Sequence, residues 1–219
     1  MSPTLEVVLL WTAFAGAHLV MSALPVRGRL VALMGANGFQ GFYSLVVLGL
    51  FIQLVRVYFA NKHTGPILWS IPPTPLLRWT MYVGIAVAFV IVVGGFMTPS
   101  PAMVPGAPRP RGVLRITRHP VVMGTALWAL MHLIGNGSAT DVAFFGGFIL
   151  FALVGTWHQD RRKIATNVAG YREFVAATAW IPFTRPGAFR GLRELAPAVA
   201  IGLVATVIVR HFHSAWFGG

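Results

Sequence analysis

Long apolar segments, each close to the length of a membrane-spanning helix, constrain this chain most. A helix needs about 20 residues to cross about 30 Å of hydrocarbon. The chain has 56% hydrophobic and only 10% charged residues, whereas about 25% of residues are charged in a typical soluble domain. We therefore predict an all-α integral membrane protein, a bundle of about six transmembrane helices that forms one domain over residues 1–219. The six apolar segments are residues 4–24, 41–59, 79–97, 120–135, 142–157 and 195–212.

The fourth and fifth segments are the shortest, and only residues 136–141 separate them. They predict a short helical hairpin, with Pro120 in the first turn of one helix and Asp141 capping the other. The polar stretch that follows predicts a helix over residues 160–174 lying at the membrane surface. Pro and Gly residues in the segment 98–112 predict an extended, irregular loop.

The formal net charge of +12 follows the pattern of the apolar segments. Most of the Lys and Arg residues follow the first, third or fifth segment, so the positive-inside rule places these three loops in the cytoplasm and both termini outside. This pattern predicts a multi-pass protein of a bacterial cytoplasmic (inner) membrane, with membrane lipids as partners and no nucleic acid. No cationic region or A-x-A site accompanies the first segment, so we expect it to be a retained helix.

The absence of cysteine excludes disulfides, iron–sulfur clusters, thiolate-bound haem and catalytic thiols. Seven histidines remain, of which His18 and His132 lie within predicted spans. An ionisable residue inside a membrane is a candidate functional residue, and two imidazoles can serve as axial ligands of haem. The alternative is that each ring only hydrogen-bonds a neighbouring helix. His63, His211 and His213 lie in loops or near span ends and are expected to have no such role.

A second candidate site is the corner formed by Arg118 and His119 at the start of the fourth segment. A helix that begins at a proline directs its positive end to this corner, and Arg115 adds charge, so the corner is expected to attract anions. A haem propionate, a lipid phosphate or a cofactor carboxylate could bind there, or the cations could only anchor anionic lipid. His119 or His158 is also the fallback partner for His18 if His132 is not a ligand.

Three segments together resemble a known family. They are AHLVMSALPVRGRLVALMGANGFQGFYSLV (17–46), LRITRHPVVMGTALWALMHLIGNG (114–137) and WHQDRRKIATNVAGYREFVAATAWIPF (157–183). The set resembles the NnrU family of bacterial membrane proteins associated with denitrification, which is similar to the 15-cis-ζ-carotene isomerases of plants and cyanobacteria. The resemblance therefore implies a single NnrU-like transmembrane domain.

For the isomerase branch, the resemblance implies haem b with two axial histidines, which match His18 and His132 here. The isomerases carry a cysteine three residues before the second histidine, whereas this chain has Ala129. A ligand switch to a thiolate is therefore not expected. The resemblance implies a haem b protein with a role in nitrogen-oxide or redox metabolism or, alternatively, a haem-dependent isomerase of a polyene lipid.

A more distant resemblance is to isoprenylcysteine and phospholipid methyltransferases, which carry RHP, a helical hairpin, an acidic pair, a G-Y stretch and IP. It implies S-adenosylmethionine as cofactor and a lipidic substrate. Here Arg161 and Arg162 occupy the place of the acidic pair, and only Asp160 remains. The sequence thus names five cofactor-binding candidates, with a hydrophobic small molecule as possible substrate, and leaves catalytic residues and protein partners unspecified. The five are His18, His132, Arg118, His119 and Asp160.

Overall fold

The computed structural model of the protein describes residues 1–103 and 109–217. Over these residues the chain forms seven α-helices and two short 3₁₀ helices. Five α-helices are long and apolar enough to cross a membrane, and a sixth apolar helix is shorter. This confirms the predicted all-α, multi-pass membrane class, while the bacterial inner membrane stays a prediction. The α-helices are α1 (Pro3–Ser22), α2 (Leu24–Ala60), α3 (Pro75–Met97), α4 (Pro120–Gly135), α5 (Ala139–Ala165), α6 (Tyr171–Ala177) and α7 (Ala196–Phe217).

Helix α2 differs from the prediction because it begins far earlier than residue 41. The segment 25–40, which carries Arg27 and Arg29, was predicted as a loop, but it is helical except at Gly35. Gly35 has φ 75° and ψ 167°, a backbone conformation that a side chain would not tolerate, and it kinks the 37-residue helix. The arginines interrupt the apolar run without interrupting the helix, since Arg is a good helix former.

The hairpin of α4 and α5 is confirmed, with α4 beginning at Pro120 as predicted. The cap of α5, however, is Ser138 and not Asp141. The amide of Asp141 donates to Ser138 Oγ (3.2 Å), while Ser138 Oγ donates back to the Asp141 carboxylate (2.7 Å). This reciprocal pair is a variant of the capping box, in which Asp141 lies in the first turn.

The polar stretch after the fifth span also folds differently from the prediction. Residues 160–165 belong to α5, which continues well past the apolar segment, and α6 begins only at Tyr171. The break between them contains Asn167 and Gly170, both with positive φ. Residues 104–108 of the predicted irregular loop lie outside the described residues, and residues 112–115 form a 3₁₀ helix.

The chain divides into two compact units. Helices α4 and α5 are each divided between the two units. Unit 1 contains Met1–Ile71 and Leu133–Phe151, and unit 2 contains Pro72–His132 and Ala152–Gly219. In unit 1, Trp11 of α1 packs directly against Gly147 of α5. A Cβ added at Gly147 would lie 2.3 Å from the indole of Trp11. The indole nitrogen of Trp11 donates to the carbonyl of Phe144 (3.1 Å).

Small residues allow close helix packing in unit 2. A Cβ added at Gly202 of α7 would lie 2.8 Å from the Cα of Val90 on α3, and one at Gly124 of α4 would lie 3.0 Å from the carbonyl oxygen of Ala88. In a membrane, where lipid competes with apolar side chains for contact, such close backbone approach is a main source of helix association.

Gly202→Val should therefore destabilise the protein, because the branched side chain must push α7 away from α3, at a cost of about 1–3 kcal/mol. Thermal unfolding of the detergent-purified protein measures this loss. The matched control is Gly49→Val on α2, since no atom beyond its own helix backbone lies within 4 Å of that position. Equal melting temperatures for the two variants would contradict the close contact of α3 and α7.

Candidate functional site

The centre of the corner predicted around Arg118 is the carboxylate of Asp160, near the end of α5. Asp160 is buried and accepts hydrogen bonds from Arg118 Nε (2.7 Å), His119 Nε2 (2.9 Å) and the hydroxyl of Tyr171 (2.6 Å). The structure therefore brings together three of the five predicted residues, Arg118, His119 and Asp160. The fourth member, Tyr171, was not predicted.

Local sequence fixes the two residues that precede α4. Thr117 Oγ1 accepts from the amide of His119 (3.3 Å), and the carbonyl of His119 accepts the first helical hydrogen bond, from Met123 (2.9 Å). Ser100 Oγ donates to the carbonyl of Arg118 (2.6 Å). The His–Pro step thus begins the helix, and these hydrogen bonds hold the backbone where Arg118 and His119 contact Asp160.

The segment that follows α6 closes the corner. Arg118 donates from its backbone to the carbonyl of Ala179 (2.9 Å) and from its side chain to that of Thr178 (3.2 Å). Thr117 Oγ1 donates to the carbonyl of Trp180 (2.7 Å), and the indole of Trp180 donates to Thr156 Oγ1 (2.8 Å). The RITRHP and IPF motifs are therefore adjacent in space because one segment supplies carbonyls to the other.

Charge in this corner is largely balanced inside the protein. Arg118 pairs with Asp160, and Arg115 pairs with Glu194 (3.2 Å). Burial, and then the adjacent Asp160 carboxylate, raise the pKa of the Tyr171 phenol, so its hydroxyl stays protonated and donates. Binding of an external anion here stays a prediction.

Two buried polar atoms at this corner have no hydrogen-bond partner among the described residues. They are Nδ1 of His119 and Nε of Arg115. His119 donates from Nε2 to Asp160, so its Nδ1 is the ring nitrogen left to face another group. Buried atoms of this kind are normally satisfied by water or a ligand, which is compatible with the predicted cofactor role of His119.

His18 lies on α1 in unit 1, half-buried among aromatic rings. The hydroxyl of Tyr43 on α2 lies 2.7 Å from Nδ1 and 3.3 Å from Nε2 of His18. Phe151 of α5 meets the imidazole edge-on at 5.0 Å, and the ring of Phe14 lies at 6.2 Å. Aromatic rings therefore lie around His18, and the Tyr43 hydroxyl orients its ring.

His132 lies on α4 in unit 2, one turn after Trp128. Its Nδ1 lies 2.9 Å from the carbonyl of Trp128, and since a carbonyl only accepts, Nδ1 carries the proton and Nε2 the lone pair of the neutral ring. The imidazole of His213 on α7 stacks at 6.4 Å. The position of His213 near a predicted span end gives no indication of this contact.

Metal sites other than haem gain no support from the described part of the chain, where no three His, Cys, Asp or Glu side chains are grouped to hold a metal ion. Haem differs because it needs at most two protein ligands. Each of His18 and His132 separately offers an imidazole that a hydrogen bond orients, and imidazole is a donor type that haem b accepts.

Comparisons with known proteins agree on one family. A family model described as NnrU protein matches residues 6–219. The chain is 28% identical over 191 residues to the chloroplastic 15-cis-zeta-carotene isomerase of Arabidopsis thaliana, covering 83% of this chain and 50% of that protein. It is 27% identical over 184 residues to the enzyme of the same name from Zea mays, covering 80% and 48%. The chain thus spans about half the length of these curated relatives. No solved structure matches it significantly.

Proposed function

We propose, from the premise that this chain belongs to the NnrU family, that it is a membrane-embedded isomerase of a long polyene lipid and works with haem b. The observation that carries the proposal is the aromatic environment of His18. A conjugated hydrocarbon packs favourably against aromatic rings and needs no polar recognition. The names of the curated relatives support the same class of reaction.

Isomerisation of a double bond conserves every atom of the substrate and consumes no water or second substrate. A site for it therefore requires an apolar channel and a group that transiently lowers the double-bond order, whereas methyl transfer requires a bound donor. In the alternative reading, Asp160 would contact S-adenosylmethionine, but both of its carboxylate oxygens already accept hydrogen bonds from protein groups. Nothing in these contacts favours methyl transfer.

His18 and His132 are the residues that would hold the haem. When bound, haem b would supply a reversible one-electron donor and acceptor. Tyr43 orients the His18 ring, and the carbonyl of Trp128 fixes the proton of His132 on Nδ1. Phe14 and Phe151 pack against the His18 ring and give its site an aromatic lining.

The test begins with the protein purified in detergent after expression with haem supplied. We expect a Soret band and sharp reduced bands of low-spin haem b, and conversion of 15-cis-ζ-carotene to a trans isomer measured by chromatography. The same preparation stripped of haem should be inactive. A colourless protein that binds S-adenosylmethionine would overturn the proposal. Haem without polyene turnover, together with rapid binding of nitric oxide, would instead support the nitrogen-oxide role.

A further inference from the structure

A second buried carboxylate, Asp141, lies in unit 1 in the first turn of α5. It accepts hydrogen bonds from the hydroxyl of Tyr58 (2.9 Å) and from Ser138 Oγ (2.7 Å). It also accepts two from His63, one from the backbone amide (3.3 Å) and one from Nδ1 (3.0 Å). Four donors stabilise the ionised carboxylate. This network is separate from the residues of the proposed haem site.

His63 belongs to a segment, residues 61–71, that follows α2 and that we call the strap. The strap lies along the beginning of α5. The amide of Leu68 donates to the carbonyl of Gly137 (2.7 Å), and the amide of Ala139 donates to that of Pro66 (2.9 Å). Trp69 donates from its indole to the carbonyl of Leu133 (3.2 Å). The strap thus covers residues that an unattached loop would leave exposed.

The conformation of His63 indicates that the two bonds to Asp141 hold it in place. Its φ is 60°, in the left-handed region that is unfavourable for a residue with a side chain. Its side chain is 50% exposed, so solvent protons reach the ring, whereas that of Asp141 is 1% exposed. One strained residue with a titratable ring therefore joins the strap to a buried carboxylate.

We propose that His63 and Asp141 form a proton-controlled latch that fastens the strap over the start of α5. The neutral imidazole makes only a neutral-donor hydrogen bond to Asp141. The protonated imidazole keeps that bond and adds an ion pair, which is the stronger interaction. The closed strap is therefore favoured as the pH falls through the range in which imidazoles titrate, and opening is favoured above it.

Other ionisable groups on the elements at this end of unit 1 do not reproduce this behaviour. The charged groups are Lys62 in the strap, Arg56 on α2 and Glu6 on α1, and none of these side-chain types has an ordinary pKa in the imidazole range. Tyr58, which contacts Asp141 directly, is a hydroxyl donor in the same range. Among these groups His63 carries the imidazole, the type of side chain whose ordinary pKa lies nearest to neutral.

The absence of cysteine allows a direct test on the full-length, detergent-purified protein. A thiol at Ala139→Cys reports opening, because a Cβ added at Gly65 of the strap would lie 3.3 Å from the Ala139 Cβ. A thiol at Ser70→Cys, an exposed strap position, reports the intrinsic reactivity of a thiol at each pH. The quantity measured is the ratio of the two rates of labelling by a maleimide.

We expect this ratio to rise about threefold between about pH 6 and about pH 8, the size of effect that suits a half-exposed ion pair. His63→Gln keeps a hydrogen-bond donor but cannot titrate, so it should make the ratio independent of pH. Asp141→Asn should give a high ratio already at the lower pH. A wild-type ratio that does not change with pH, or a His63→Gln variant with the wild-type response, would overturn the latch.

Discussion

The single variants His18→Ala and His132→Ala should each abolish the low-spin spectrum expected of the reduced protein with haem bound. If these two imidazoles hold haem b as proposed, removal of either one would weaken the ligand field and the attachment of the haem, so the reduced bands should broaden and the haem should dissociate. Tyr43→Phe should have a smaller effect, about a tenfold loss of haem affinity, because it removes only the hydroxyl that orients His18. Absorption spectra of the purified variants and haem titration measure both quantities.

The control for these variants is His211→Ala. His211 is exposed near the end of α7, where its ring contacts Phe212. His63→Ala is a poorer control than the sequence suggested, because His63 binds the buried Asp141. If both His18→Ala and His132→Ala keep the wild-type spectrum, the ligand assignment is wrong, and His119 with its buried, unpartnered Nδ1 becomes the first alternative.

The spans were predictable because the thickness of the hydrocarbon layer fixes how many apolar residues a helix needs. The start of α2 and the end of α5 were not, because both helices extend beyond their apolar segments. Polar residues continue α5 to Ala165, since a helix that leaves the hydrocarbon continues wherever its polar side chains find partners. Asp160 lies in this polar continuation of α5 and accepts hydrogen bonds from three side chains. The polar residues that make the end of α5 hard to predict therefore also contribute to the corner.

The candidate site was predictable as a list of residues but not as a set of contacts. RITRHP pointed to a corner of Arg118 and His119, and a distant resemblance pointed to Asp160, while nothing local showed that Asp160 binds both residues. Tyr171 follows Asp160 by 11 residues across the break between α5 and α6, a spacing that only the turn itself explains. The contact of Tyr43 with His18 was likewise not predictable, because nothing in the sequence shows which residues of α1 and α2 face each other.

His63 shows the limit of judging a residue by its position in a loop. The sequence placed Asp141 correctly at the start of a helix and His63 in a connection, and no pattern joined them over 78 residues. The capping pair of Ser138 and Asp141 was a usable signal that this carboxylate points back toward the loops. What could not be read is the positive φ of His63, because it depends on tertiary contacts that the strap makes.

Asp160→Asn should destabilise the protein strongly, by about 3–5 kcal/mol, because it leaves the buried Arg118 guanidinium without its counter-ion. For a chain of this length such a loss corresponds to a decrease of about 10 °C in the melting temperature. Tyr171→Phe removes one donor and should lose about 1–2 kcal/mol. Thermal unfolding in detergent, under the conditions used for the glycine variants, gives the comparison.

The matched control is Glu194→Gln in the same unit, whose carboxylate is 45% exposed and pairs with Arg115. An exposed pair contributes little, so this variant should lose less than about 1 kcal/mol. The double variant Arg118→Met with Asp160→Asn should recover part of the loss, because no buried charge is then left unpaired. If Asp160→Asn melts at or above the wild-type temperature, Asp160 does not stabilise the fold. It would then be a strained functional carboxylate, and the S-adenosylmethionine alternative would gain support because active-site residues are often retained at the expense of stability.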